Sequence, residues 1–342
     1  MIILYSIFLY FFSLYVIKKS IFILSKKSMI DYPSKRSNHI NPTPKGIGII
    51  LTPLILISTL IILYFENSQN INLFNWVMIS FLCCCLGLVS FVDDAKNLTT
   101  GVRLFSQFAV VSVSLLLFLS PLWNDLNSLY FAENFKTTFS LTIFFFFLIA
   151  WIWIINVFNF MDGIDGLTAL QVCSFAMCLN ILSIFGHIPN EFHILSVILF
   201  TVYLAFYKFN KSPSKVFLGD VGSITSGYLI GFIILSCFLT SKIILPLLII
   251  NMYYILDSTI TLLIRLLKKE NIFQAHSKHF YQKVIRKGYP HSHVIKWVFI
   301  LNLILLILSI SSLEYPITSL IFSLLFTGAL LYSFNLRKSH ER

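Results

Sequence analysis

Oxygen-bearing side chains recur in this sequence where long apolar runs stop: in Phe91-Val92-Asp93-Asp94, in Asn156 to Gly166, and in Phe217 to Ser223. Adjacent Asp93 and Asp94 cannot both ionise comfortably without a counter-charge, which a divalent cation or Lys96 would supply. Asn156, Asn159, Asp162 and Asp165 recur every third residue, so a helix or tight helical turn stacks them along one stripe. Gly163 and Gly166 then permit an unusual turn or the close approach of a ligand. Asp220, between Gly219 and Gly222, could cap a helix or hold a hard cation such as Mg2+. Taken singly, each run also reads as a capped or solvated helix end. Their convergence is what makes a site, because carboxylates at a membrane boundary are costly unless they pair or bind cations.

Two basic stretches complement these acids. Residues 265–296 carry His276, His279, His291 and His293 with Lys278, Lys283, Arg286 and Lys287. No cysteine accompanies the histidines, so phosphate recognition fits this loop better than zinc. The loop from Asp31 to Gly48 is stiffened by Pro33, Pro42 and Pro44, and Arg36, His39 and Lys45 offer anion contacts. Asp257 stands alone inside an apolar run, two turns before Arg265, and is either a buried partner of that arginine or part of the site.

The elements that must position these residues are membrane helices. The 342-residue chain is 57% apolar and only 11% charged, a balance that excludes a soluble fold, a disordered chain and a disulfide scaffold. Apolar runs long enough to cross a bilayer centre on residues 2–24, 46–65, 74–92, 104–122, 137–155, 166–185, 192–208, 221–240, 243–264, 294–311 and 316–334. The expectation is an all-α polytopic membrane protein of about eleven helices. Of the 25 Lys and Arg residues, 23 fall in one set of alternate connections and only Lys136 and Lys242 in the other. The positive-inside rule then puts the N-terminus outside and the C-terminus in the cytoplasm. The six cysteines, Cys83, Cys84, Cys85, Cys173, Cys178 and Cys237, all lie in spans and read as packing residues. The organisation expected is one transmembrane transferase domain over 1–342, with cytoplasmic catalytic loops at 31–48, 93–103, 156–166, 208–223 and 265–296.

Five segments in order, Asp31 to Gly48, Asp93 to Asn97, Asn156 to Leu167, Phe217 to Ser223 and His276 to His293, resemble the polyprenyl-phosphate N-acetylhexosamine-1-phosphate transferases of glycosyltransferase family 4. The resemblance implies transfer of a sugar 1-phosphate from a UDP-N-acetyl sugar to polyprenyl (undecaprenyl) phosphate, releasing UMP with Mg2+, or Mn2+ in its place. It makes Asp93 and Asp94 the catalytic pair and Asp220, with Asp162, the metal ligands. Asn156, Asn159, Asp162 and Asp165 would line the nucleotide-sugar site. Arg36, His39, Lys45, Lys96, His276, Lys278 and His279 would contact the anionic substrates. Asn97 stands where many relatives carry a third aspartate, Ile47 interrupts their glycine run, and the triple histidine of the muramyl-pentapeptide branch is missing. The Arg36 to His39 and His276 to Gln282 runs look more like the branch that initiates O-antigen or similar surface polysaccharides. Such an enzyme would sit in a bacterial inner membrane with its site facing the cytoplasm, bind no nucleic acid, and could pair as a homodimer. The rival reading is a transporter with an ion-coupled acidic site. Its acids should lie near the bilayer midplane on broken helices, whereas here only Asp257 lies inside a run.

Overall fold

The computed structural model describes residues 2–26, 29–33, 41–66, 72–96, 98–118, 133–274 and 276–337. They form helices α1 (Ile2–Lys26), α2 (Gly48–Glu66), α3 (Leu73–Lys96), α4 (Thr100–Phe118), α5 (Glu133–Met161), α6 (Leu167–Ile184) and α7 (Asn190–Asn210). Then come α8 (Gly219–Ser241), α9 (Leu245–Ile250), α10 (Met252–Leu267), α11 (Phe280–Arg286), α12 (His291–Ser311) and α13 (Pro316–Leu336). Between α1 and α2, the two-residue strands β1 (Ile30–Asp31) and β2 (Thr43–Pro44) pair antiparallel.

The fold is organised around α8. Every residue from Val221 to Leu235 is buried, as in a helix that neighbours surround on all sides. Its small residues let α2, α3 and α5 close on it. Gly48 of α2 crosses Gly222 so closely that a Cβ on Gly48 would run into the Gly222 backbone. Side chains bond across the helices where carbon packing leaves polar groups without water: Thr52 to Thr225 at 2.7 Å, and Trp151 Nε1 to the Tyr228 carbonyl at 2.9 Å.

Ten of the helices are long and apolar enough to cross a membrane unbroken. The eleventh expected passage, 243–264, is instead divided into α9 and α10 at Asn251. A buried amide cluster accounts for the break. Gln171 Nε2 donates to the Ile250 carbonyl at 2.9 Å and to Asn251 Oδ1 at 3.1 Å, Asn251 Nδ2 donates to the Leu247 carbonyl, and Asn302 Nδ2 donates to Gln171 Oε1. Interrupted backbone persists at this depth because side chains satisfy it. The divided passage still runs from one end of the bundle to the other. The Pro246 carbonyl, at the start of α9, accepts from Ser309 near the end of α12. Asp257 of α10 instead bonds the residues that open α11. The first and last described residues, Ile2 and Arg337, accordingly lie at opposite ends. All six cysteines are free.

Candidate active site

The cleft at one end of α8 is built from backbone before side chains. Gly46, Gly166 and Gly219 adopt φ values of +90°, +81° and +77°, a region costly for any residue with a Cβ. The chain entering α2 is stitched to the chain entering α8: Phe217 N donates to the Pro44 carbonyl at 2.8 Å, Gly46 N to the Phe217 carbonyl, and Gly48 N to the Leu218 carbonyl. The turn after α5 is tied down by Gly166 N donating to Asn210 Oδ1 at 2.9 Å. These links gather Lys45, Asp94, Asp162, Asp165 and Asp220 around a cleft of about 270 Å³, with Asp31, Asn210, Gln282 and His291 also on its walls.

Among the acids, Asp94 is nearly enclosed, pairs with Lys45 Nζ at 3.5 Å, and takes a backbone hydrogen bond from Val221. Asp220 accepts from Asn159 Nδ2 at 3.2 Å and lies 3.7 Å from Arg103 Nη1. Desolvation pushes the Asp162 carboxyl up to about 7, the nearby charges of Asp220 and Asp94 adding to the rise. Burial acts on Asp165 in the same direction, but hydrogen bonds from His291, Ser212 and Ser214 outweigh it and hold that carboxyl below its usual range. His291 Nδ1 lies 3.1 Å from Asp165 Oδ2.

Asp94, Asp162, Asp165 and Asp220 gathered round one cleft with Lys45, one of the four kept protonated to about neutral pH, are a donor set short of positive charge, and it fits a hard cation. Asp94, Asp162 and Asp220 are the residues that could hold one. Among the described residues no three such side chains are drawn into a ready-made cage. Mg2+ needs none: one or two carboxylates suffice when water and phosphate complete its shell.

The other expected site residues are elsewhere. Asp93 does not face the cleft: it is buried, accepts from Leu98 N at 2.7 Å and meets Arg103 Nε at 2.6 Å, joining the end of α3 to the start of α4. Adjacent positions on a helix point about 100° apart, so the two aspartates cannot share one task. Lys96 is exposed, away from the cleft walls. Asn156 bonds Gln107 at 2.7 Å and supports α5 against α4, whereas Asn159 supports Asp220. His276 and Lys278 line a separate hollow with Arg265, Glu270 and Arg286. Lys278 is paired with Glu270 at 2.6 Å, and burial together with the neighbouring His279, Arg265 and Lys278 holds His276 down to about 4, so its ring is neutral at pH 7. His279 is buried against Asp257. Asp257 therefore partners His279 and not Arg265, which pairs with Glu270, and it stands behind the cleft lining and not on it. Arg36 and His39 lie outside the described residues.

Gln282 and Asn210 line the cleft without having been singled out for it, and of the histidines in the basic loop it is His291 that lines it. His291 carried a signal, as a histidine directly after Pro290 at a helix start. Nothing local marks the other two.

Residues 76–238 match the sequence model of the family described as Glycosyl transferase family 4. This stretch holds Asp94, Asp162, Asp165 and Asp220. Similarity to curated proteins extends further. The chain is 28% identical over 302 residues to the phospho-N-acetylmuramoyl-pentapeptide-transferase of Buchnera aphidicola subsp. Acyrthosiphon pisum (strain 5A), covering 80% of each chain. It is 29% identical over 305 residues to the enzyme of that name from Rickettsia prowazekii (strain Madrid E), again covering 80% of each. With the Staphylococcus saprophyticus enzyme it shares 30% identity over 199 residues, 54% of this chain and 59% of that one. The chain is thus similar to glycosyl transferase family 4 over residues 76–238 and to phospho-N-acetylmuramoyl-pentapeptide-transferases over 80% of its length, and the acidic cleft draws Asp94, Asp162, Asp165 and Asp220 from the first of these stretches.

Proposed function

We propose that the protein transfers an N-acetylhexosamine 1-phosphate from a UDP-sugar to polyprenyl phosphate, releasing UMP, in a bacterial inner membrane with the cleft facing the cytoplasm. The observation that carries this reading is the cleft itself, where carboxylates short of positive charge stand beside Lys45 and His291 at the end of a membrane bundle. Two phosphate substrates repel one another, and fixed cations at such a site reduce that repulsion. Mg2+ held by Asp220 and Asp162, with Asp94 adjacent, would supply the diphosphate with its counter-charge. Asp94 accepts the remaining proton of the lipid phosphate. That oxygen bonds the sugar-bearing phosphorus as the bond to the UMP phosphate breaks. Lys45 neutralises phosphate charge beside Asp94, and Arg103 and Asn159 hold Asp220 in place.

The test uses membranes containing the protein, polyprenyl phosphate, Mg2+ and a UDP-N-acetyl sugar labelled in its β-phosphate. Label passing into lipid with release of UMP, and lost on chelation or in Asp220→Asn, is the expected result. Label remaining water-soluble across a panel of UDP-N-acetyl sugars overturns the proposal, and label trapped on the protein without acceptor overturns direct attack. A simple sugar donor, for surface polysaccharide or O-antigen, is preferred on the absence of a triple histidine. The printed names of the relatives favour a second reading, a donor bearing N-acetylmuramoyl-pentapeptide. Running both donors in one assay decides between them.

A further inference from the structure

The Asp257 carboxylate is not on the cleft wall, yet four groups donate to it. The Asp257 carboxylate is wholly buried. Its Oδ1 accepts from His279 Nδ1 at 3.0 Å, from Phe280 N at 3.1 Å and from the Thr261 hydroxyl at 3.2 Å, and its Oδ2 from Tyr281 N at 3.3 Å. A carboxylate in this setting only accepts, so Nδ1 of His279 carries the proton. One acid on α10 thereby fixes the start of α11.

The fixed segment reaches the acidic turn after α5. The Tyr281 hydroxyl donates to the Phe160 carbonyl at 2.9 Å, two residues before Asp162. A Cβ on Gly163 would collide with that hydroxyl and come within 3.2 Å of Gln282 Nε2, so the turn lies directly on this pair of side chains. His279 N donates in turn to Gln282 Oε1 at 3.2 Å, holding the amide that faces the cleft.

We propose that Asp257, His279 and Tyr281 are positioning residues for Asp162: the buried carboxylate locks residues 279–281, and the Tyr281 hydroxyl carries that constraint to the turn of residues 160–165. His279 then works through its bond to Asp257 and touches no substrate. This inference rests on the proposed transfer reaction for its kinetic consequence, but its structural part stands apart from that reaction.

The experiment measures two things on the full chain in nanodiscs: hydrogen–deuterium exchange over residues 157–168, and kcat with half-saturating Mg2+ in the transfer assay. Tyr281→Phe keeps the ring and removes only the hydroxyl. It is expected to speed exchange over 157–168, lower kcat about tenfold to a hundredfold, and raise the Mg2+ requirement, with donor and acceptor KM within about twofold. His279→Asn retains a donor near Nδ1 and should keep kcat within about threefold of the parent, whereas His279→Ala falls with Tyr281→Phe. Wild-type exchange in Tyr281→Phe overturns the proposal. So does an Asn variant as impaired as His279→Ala with donor KM raised, because the imidazole then touches substrate. If the parent protein transfers nothing while the exchange changes appear, the proposed reaction has failed and the positioning role stands.

Discussion

At the scale of single residues, the neighbours Asp93 and Asp94 face different surroundings: Asp93 is held by Arg103 and Leu98 N, and Asp94 lines the cleft, where the proposed reaction makes it the base. Asp93→Asn weakens a buried charge pair, and it should cost about 3 kcal/mol, the low end for such pairs because Arg103 keeps a third of its surface exposed. A lowered thermal midpoint checks this. Asp94→Asn should leave the midpoint nearly unchanged and cut kcat by about a hundredfold or more. Asp162 gives a pH prediction. Its carboxyl is protonated below about 7 and a cation competes with that proton, so half-saturating Mg2+ should rise as pH falls from 8 to 6, and Asp162→Asn should flatten the dependence. The sign for stability is the reverse. A carboxyl raised in the fold favours the folded state below its unfolded value and loses that contribution as pH climbs through about 7. Metal-free Asp162→Asn should therefore melt higher than the parent at pH 8 and like it near pH 4.

At the scale of elements, the cleft is held by the Gly48–Gly222 crossing and by the ties between Pro44–Gly48 and Phe217–Leu218, while the bundle itself carries a break at Asn251. Gly48→Ala puts a methyl group into the Gly222 backbone and should abolish activity through displacement of Lys45 from Asp94, read as lost transfer with a lowered melting midpoint. Gln171→Leu removes the donor to Ile250 and Asn251 and the acceptor of Asn302, and should cost about 3 kcal/mol or more in unfolding, since each buried polar group left alone costs about 1–3 kcal/mol. The helices were legible from their apolar runs. The break was not, because Asn251 looks like any tolerated polar residue until Gln171 and Asn302 are brought beside it. His276 and His279 were legible as a loop of interest, but their separation, one into a hollow and one into the core, depends on Asp257, which lies 19 residues before His276 in the chain.

At the scale of the whole molecule, the cleft lies at one end of a bundle whose first and last described residues are at opposite ends. The proposed cytoplasmic placement of the cleft end, argued from the distribution of Lys and Arg, is testable by labelling. Lys278→Cys should react with a membrane-impermeant maleimide only after permeabilisation, and Lys242→Cys should react in intact cells. Labelling in the opposite order inverts the topology.

Composition and charge placement alone determined that this chain is a helical membrane protein and which connections carry its acids, because hydrophobic length and positive charge act locally along the sequence. The sequence also marked Asp94, Asp162, Asp165 and Asp220, whose polarity is conspicuous beside apolar runs. Only the tertiary structure decided that Asp93 belongs to Arg103, that His279 belongs to Asp257, and that Gln282 and His291 face the cleft. A side chain's task depends on the partner it meets in space, and these partners come from helices and loops that linear spacing does not bring together.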